Sequence, residues 1–296
     1  MKSVHIWGIK FSLLTKAQIV RKVQSMLDKG CRHIQLAAVN PETVVQSRDS
    51  DRLRAAINDA DIVNIDNMLV ALTLRLNGIH VPERAATPDL FRLFLGNAEQ
   101  HGQSVFFLGA KEPVLAKMLE KVRELYPRLN VAGYQHGYFR NETAVLDKIN
   151  ETKPDYLFVA LPTPQKEMFI QDHKDELDVG VCYGVGGAFD VLAGAVRRLS
   201  LRLGSFEFEG IFRVLQKPWE YGRRVLRFYP RFVANAIRCR RRFTLEEAPV
   251  RGERDYGKLK VFRFPNLYSE GDPALAKTGR SGSGKVRIPK SGALRK

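Results

Sequence analysis

Cysteine is scarce in this sequence, and its three copies are far apart. Of 296 residues only Cys31, Cys182 and Cys239 are cysteines, with no Cys-x-x-Cys pair and no Cys/His cluster. Thiols scattered in this way cannot form a disulfide framework and do not have zinc-site spacing. The sequence therefore predicts reduced thiols and no structural zinc site.

Several other signals are also missing. No apolar run approaches the roughly 20 residues that a membrane-spanning helix needs, and polar residues interrupt the first twenty positions, which argues against a signal peptide. There is no P-loop, no Gly-x-Gly-x-x-Gly fingerprint and no RNP, KH, zinc-finger or helix-turn-helix signature. We therefore expect a soluble or peripheral protein that does not bind nucleic acid.

The first two thirds of the chain alternate apolar, β-rich runs with helical segments. Most of these runs end in Gly, Asn, Asp or Pro, and they cover residues 33–39, 61–66, 104–110, 130–134, 156–161 and 179–187. This alternation predicts an α/β fold with a largely parallel sheet flanked by helices. Ligands of such sheets collect at the carboxyl ends of the strands.

The net charge of +16 comes entirely from the last third of the chain. Residues 1–196 carry 23 basic and 23 acidic side chains, residues 197–242 carry 13 and 3, and residues 244–296 carry 12 and 6. We therefore predict an α/β core over 1–196 and a basic, aromatic helical appendage over 197–243. The Gly-, Ser-, Pro- and Lys-rich residues 244–296 are predicted to be a flexible, disordered tail.

In the appendage, arginines alternate with aromatic residues. Arg213, Arg223, Arg224 and Arg227 lie among Phe, Trp and Tyr side chains, and residues 223, 227 and 231 share one helix face. This pattern predicts a helix lying on an anionic membrane surface. A nucleic-acid contact and a plain solvated helix face are the alternatives.

Residues that follow the predicted strands are candidates for a site. Asp66 could be a general base or the N-cap of the next helix. Gly186 and Gly187, before Asp190, could let a phosphate or sugar approach the backbone or simply make a tight turn. Gln165 and Lys166, in a loop with two prolines, could contact an anion or only solvent.

Two further loops leave the same choice open. Arg84 in Pro-Glu-Arg could neutralise a diphosphate or be solvated. His136, two residues before Tyr138 in the run His-Gly-Tyr-Phe, is predicted to be a surface histidine rather than a catalyst.

In combination, these segments resemble the WecG/TagA/CpsF glycosyltransferase family (family 26) over roughly residues 4–235. The matching segments are 40–42, 62–66, 82–84 with 89–90, 105–110, 136–139, 153–161, 164–167, 184–198 and 212–221. The most specific of them is GVGGAFDVLAGAVRR, at 184–198.

The resemblance implies a cytoplasmic enzyme, peripheral on the inner face of the cell membrane, whose appendage closes over the active site. The implied reaction moves a sugar from a UDP-sugar to a polyprenyl-diphosphate-linked saccharide, with inversion and without a metal or other cofactor. The products feed bacterial cell-surface polysaccharides. Whether the protein forms a homo-oligomer stays open.

The resemblance also implies roles for single residues. Asp66 matches the family's proposed base, and Asn40 and Arg84 match positions lining the active site. The appendage arginines Arg213 and Arg223 or Arg224 match residues thought to reach the diphosphate, with Arg227 on the membrane side. The donor side is implied for Tyr138, Gln165, Lys166, Gly186, Gly187 and Asp190.

The sequence departs from the family pattern at four positions. Ala38 replaces a common Thr, Asn67 and Thr87 each replace a usual Gly, and Lys166 stands where the family has an amide. These changes could retune the sugar specificity. They could also mark a non-catalytic relative that binds a nucleotide sugar or serves as a membrane scaffold.

Overall fold

The main body of the protein is a six-stranded parallel sheet. The computed structural model describes residues 1–195, 201–203, 206–208, 222–238 and 244–247. The strands of the sheet are β3 (Ile34–Val39), β4 (Ile62–Ile65), β5 (Ser104–Gly109), β6 (Asn130–Gln135), β7 (Tyr156–Ala160) and β8 (Val181–Gly184). Their order is β4-β3-β8-β7-β5-β6, and all neighbours are parallel. The predicted fold class is confirmed.

Helices cover both faces of this sheet. They are α1 (Lys16–Asp28), α2 (Pro41–Asp49), α3 (Asp51–Asn58), α4 (Met68–Leu76), α5 (Thr87–His101), α6 (Glu112–Leu125), α7 (Glu142–Thr152), α8 (Gln165–Asp172) and α9 (Ala188–Leu192). One apolar core joins the sheet to α1, α5, α6 and α9. On the other face, one core lies beneath α2, α3 and α4, and another beneath α7 and α8.

A small antiparallel sheet adjoins the β4 edge. It consists of β1 (Lys2–Ile6), β2 (Ile9–Ser12) and β11 (Thr244–Glu247), with β1 in the middle. Trp7 and Gly8 form the turn between β1 and β2 at φ 57° and 78°, the positive values that a tight two-residue hairpin requires. The Ser12 hydroxyl accepts the N–H of Val63 at 3.2 Å, which satisfies a backbone donor on the sheet's edge strand.

The described C-terminal residues bear on the predicted appendage and tail. A hairpin of β9 (Leu201–Leu203) and β10 (Phe206–Phe208) was not foreseen, and α10 spans Arg223–Arg238. Residues 244–247, placed by the sequence at the start of the flexible tail, form β11 and pair with β1. Residues 248–296 lie outside the described residues, so the rest of the tail stays a prediction.

Helix α10 packs onto the core through two aromatic residues. Phe228 and Phe232 are buried in the cluster shared with β1, β2, α2 and α4. The Phe232 ring meets the Trp7 ring edge to face at a centroid distance of 5.3 Å, a favourable aromatic geometry. No helix among the described residues is long and apolar enough to cross a membrane.

A close backbone approach at the carboxyl end of β5 yields a test of the fold. Gly109 has φ 128°, and a Cβ added to it would stand 2.5 Å from the carbonyl of Ala160 on β7. We expect Gly109→Ala to lower the free energy of unfolding by at least about 2 kcal/mol in urea denaturation. The matched control is Gly96→Ala in the middle of α5, where the nearest atom is 3.7 Å away. It should be neutral or slightly stabilising, and equal losses in the two variants would contradict the steric argument.

Candidate active site

Asn40 and Asp66 lie side by side at the carboxyl edge of the sheet. Asn40 directly follows β3 and Asp66 directly follows β4, and the last residues of these paired strands, Val39 and Ile65, are opposite each other. The N–H of Asp66 donates to the carbonyl of Val39 at 3.1 Å. The backbones of these two predicted site residues are thus about one strand spacing, roughly 4.8 Å, apart across the sheet.

Asn40 is the N-cap of α2. Its Oδ1 accepts the backbone N–H of Thr43 at 3.1 Å and the Thr43 hydroxyl at 3.2 Å. These two bonds fix the orientation of the side chain, because only the carbonyl oxygen of the amide can accept them. The amide nitrogen, Nδ2, is left as the group that could donate to a substrate oxygen.

Asp66 caps a helix, but not the one that follows it. Its Oδ1 accepts the N–H of Thr87, the first residue of α5, at 2.6 Å. The residue before α5, Ala86, has no side chain that can cap, so the carboxylate supplies the missing acceptor. The alternative that Asp66 caps α4 is wrong, because Asn67 does so by accepting the N–H of Leu69 at 2.8 Å.

The residues on both sides of Arg84 are anchored, Ala85 through its backbone and Glu83 through its side chain. The N–H of Ala85 donates to the carbonyl of Ile65 at 3.0 Å, which binds the segment to the end of β4. On the other side of Arg84, Glu83 accepts the N–H of Lys16 at 2.9 Å and pairs with its ammonium at 3.1 Å. Burial lowers the pKa of Lys16, but Asp89 and Glu83 outweigh it, so that the net shift is upward.

The glycines of the candidate donor side follow β8, the second strand from β4. Gly186 has φ 49°, in the left-handed region, and a Cβ added to Gly187 would meet nothing within 4 Å. Asp190 lies in α9 and is partly exposed. This edge of the sheet is therefore open enough for a ligand's polar groups to approach the backbone.

Gln165 and Lys166 are in a helix and not in the predicted exposed loop. Both residues open α8, and the Lys166 side chain is buried. Its ammonium forms an ion pair with Glu167 and hydrogen-bonds the Thr163 hydroxyl, and its methylenes lie against Gly184. A buried lysine paired in this way is not free to bind an anion.

Tyr138 lies far from Asp66 along the edge of the sheet. It follows β6, and its side chain is 68% exposed. The N–H of the adjacent Gly137 donates to the carbonyl of Ala110, which follows β5, at 2.9 Å. Strand β5 is four spacings from β4 in the strand order, which corresponds to about 19 Å. Tyr138 could contact only a distal part of a ligand that reaches Asp66.

The appendage helix α10 reaches both strand ends of the site. Arg224 donates through Nε to Oε2 of Glu42 at 2.9 Å, in the first turn of α2. Asn67, next to Asp66, donates to the Tyr229 hydroxyl at 3.4 Å. Arg223 and Arg227 are exposed on the same helix, whereas Arg213 lies outside the described residues.

Glu42, the partner of Arg224, is a site residue that was not predicted from the sequence. Its position in Asn-Pro-Glu, in the first turn of a helix that starts beside the site, is the signal that could have identified it as a partner for a basic appendage.

The capping role of Asp66 predicts how its substitution affects stability. Asp66→Ala removes the acceptor of the Thr87 N–H and should lower the free energy of unfolding by about 1 kcal/mol. Asp66→Asn keeps a carbonyl oxygen in the same place and should lose less than half as much. Urea denaturation of the two variants measures the difference, and equal losses would contradict the cap.

Comparison with known proteins identifies the family of this chain. A sequence profile described as the Glycosyl transferase WecG/TagA/CpsF family matches residues 4–246. A Bacillus spizizenii protein named N-acetylglucosaminyldiphosphoundecaprenol N-acetyl-beta-D-mannosaminyltransferase is 34% identical over 206 residues, which cover 70% of this chain and 79% of the relative.

Two other relatives carry the same name. A Bacillus subtilis protein is 30% identical over 188 residues, covering 64% of this chain and 73% of the relative. A Staphylococcus aureus protein is 27% identical over 241 residues, covering 81% and 94%. Since the family profile spans most of the sequence, from β1 through the described part of α10, the chain belongs to the WecG/TagA/CpsF family of glycosyltransferases.

Proposed function

We propose that this glycosyltransferase moves an N-acetylhexosamine from a UDP-sugar to a polyprenyl-diphosphate-linked saccharide during the synthesis of a bacterial cell-surface polysaccharide. The relatives are named for transfer of N-acetylmannosamine to N-acetylglucosaminyl-diphosphoundecaprenol. The same acceptor and donor sugar are our first choice for this chain. The observation that carries the proposal is the adjacent placement of Asn40 and Asp66, with the Arg84 segment fixed beside them.

In the proposed reaction Asp66 is the general base. An acceptor hydroxyl attacks the anomeric carbon of the donor while its proton passes to the carboxylate. The new C–O bond forms as the bond to the UDP oxygen breaks, and that oxygen leaves with the electron pair. Direct displacement of this kind inverts the anomeric centre. Asn40 is placed to orient the acceptor or the sugar through its amide nitrogen.

The departing diphosphate needs positive charge near the strand ends. We expect Arg84, whose neighbour Ala85 is bonded to the end of β4, to supply one guanidinium there. Arg223 and Arg224 open α10, and Arg224 contacts Glu42 two residues after Asn40. We expect these arginines and Arg213 to take the place of a metal ion.

Unchanged turnover in excess chelator would agree with this expectation, and loss of turnover would contradict it.

We also propose that α10 attaches the enzyme to an anionic membrane surface. Leu226, Pro230, Val233 and Ile237 recur every three or four residues on its exposed side, and Leu226 and Ile237 are 78% and 69% exposed. The exposed arginines Arg223, Arg227 and Arg231, four residues apart, and Arg238, seven residues further on, lie alongside them. An apolar stripe next to a cationic stripe fits the boundary between acyl chains and phosphates. A position on the inner face of the cell membrane, and self-association, remain predictions.

Replacement of the base tests the catalytic proposal. Asp66→Asn should lower turnover at least about a hundredfold, the range for a lost general base, while UDP-sugar affinity stays nearly unchanged. Mass spectrometry of the products from a panel of UDP-sugars and a polyprenyl-diphosphate-linked N-acetylglucosamine acceptor measures transfer and identifies the donor. Gly96→Ala in the middle of α5, where the added methyl group would stand 3.7 Å from its nearest atom, is the control for structural damage. Near-normal turnover in Asp66→Asn would remove this residue from the base role.

The membrane proposal has its own test. The double variant Leu226→Glu, Ile237→Glu should leave most of the protein in the supernatant when anionic liposomes are sedimented. The substitutions remove the apolar contact and place two negative charges against the anionic surface. Leu125→Glu, on α6 and 46% exposed, is the matched control and should pellet like the unaltered protein. An unchanged pellet for the double variant would exclude α10 as the contact.

A further inference from the structure

Behind Asp66 lies a buried polar cluster that the proposed reaction does not use. Asn64 on β4 and Tyr183 on β8 are both fully buried, and Thr87 at the start of α5 is 5% exposed. The Tyr183 hydroxyl reaches across β3 to Asn64 Oδ1 at 3.1 Å. Ala38, the β3 residue opposite Asn64, presents only a methyl group to this space.

The directions of these hydrogen bonds can be assigned. Asn64 donates through Nδ2 to the carbonyl of Ala85 at 2.7 Å, since a carbonyl cannot donate. Its Oδ1 must therefore accept, and the Tyr183 hydroxyl must donate to it. Burial raises the pKa of Tyr183 well above its ordinary value, so the phenol remains a neutral donor at any physiological pH.

Thr87 connects this cluster to the carboxylate. Its backbone N–H is the donor to Asp66 Oδ1. Its hydroxyl is buried and lies close to the Tyr183 hydroxyl without the geometry of a full hydrogen bond. The segment 85–87 is thus held by Asn64 at one end and faces Tyr183 at the other. The position of this segment determines whether the hydrogen bond from the Thr87 N–H to Asp66 can form.

We propose that Tyr183 is a positioning residue for Asp66, acting through Asn64 and Thr87. The pair Tyr183–Asn64 fixes segment 85–87, and this segment holds the Thr87 N–H against Oδ1, so that the other carboxylate oxygen faces the acceptor hydroxyl. The inference rests on the base role proposed for Asp66. Its structural part, the support of the Thr87 N–H, stands without that role.

Removal of the Tyr183 hydroxyl should affect the Thr87 amide more than amides elsewhere in the protein. Tyr183→Phe fills the same space but leaves Asn64 Oδ1 buried without a donor, which is costly. Segment 85–87 then becomes more mobile, and the hydrogen bond from the Thr87 N–H to Asp66 breaks more often. A small displacement of a catalytic group lowers the rate of the chemical step more than it weakens binding. We therefore expect kcat to fall while the affinity for the donor stays unchanged.

Amide hydrogen exchange followed by NMR tests the structural part without any assay of activity. In Tyr183→Phe the protection of the Thr87 amide should fall by about tenfold or more, while amides in the middle of β5 keep theirs. The matched control is Tyr156→Phe, since Tyr156 is equally buried, packs on the same Phe94 ring and bonds Asn97 instead. Equal loss of Thr87 protection in the two variants would overturn the proposal.

Steady-state kinetics test the positioning part. Tyr183→Phe should lower kcat about tenfold with the donor KM unchanged, whereas Tyr156→Phe should stay within about twofold of the unaltered protein. A rise in KM with unchanged kcat would overturn it. If the unaltered protein transferred no sugar, the proposed function would fail, and the exchange measurement would still decide whether Tyr183 supports the Thr87 N–H.

Discussion

The hydrogen bond between the Thr87 N–H and the Asp66 carboxylate joins the fold to the chemistry. Helix α5 begins after an alanine and needs an acceptor from elsewhere in the chain, and Asp66 provides it from the end of β4. The same interaction therefore starts a helix that covers the main core and fixes the orientation of the proposed base.

Much of the fold could be predicted because its signals are local. The apolar runs at 104–110 and 156–161 contain β5 and β7. Asp66 was a candidate because it follows a predicted strand of a parallel sheet, and the alternation of strands and helices was sufficient for that step. Asn40 was assigned to the site only through the resemblance to the family.

Other parts depend on residues that are distant in sequence. Asp66 and Thr87 are 21 positions apart, and Glu42 and Arg224 are 182 apart, so no pattern within either segment reveals the partner. Lys166 was read as an exposed cation because lysine usually is. Its burial follows from the packing of α8 on β8, beside a glycine that leaves space for its methylenes.

The departures from the family pattern do not leave the site disorganised. Asn67 caps α4 and donates to Tyr229 on the appendage helix, Thr87 binds Asp66 through its backbone, and Ala38 leaves space beside the Tyr183–Asn64 pair. Lys166 is neutralised by Glu167. A relative that had lost its reaction would have no reason to keep Asn67 and the backbone of Thr87 in hydrogen bonds next to the proposed base. The altered residues therefore argue for a site adjusted to its own substrate, and against a scaffold that only retains the fold.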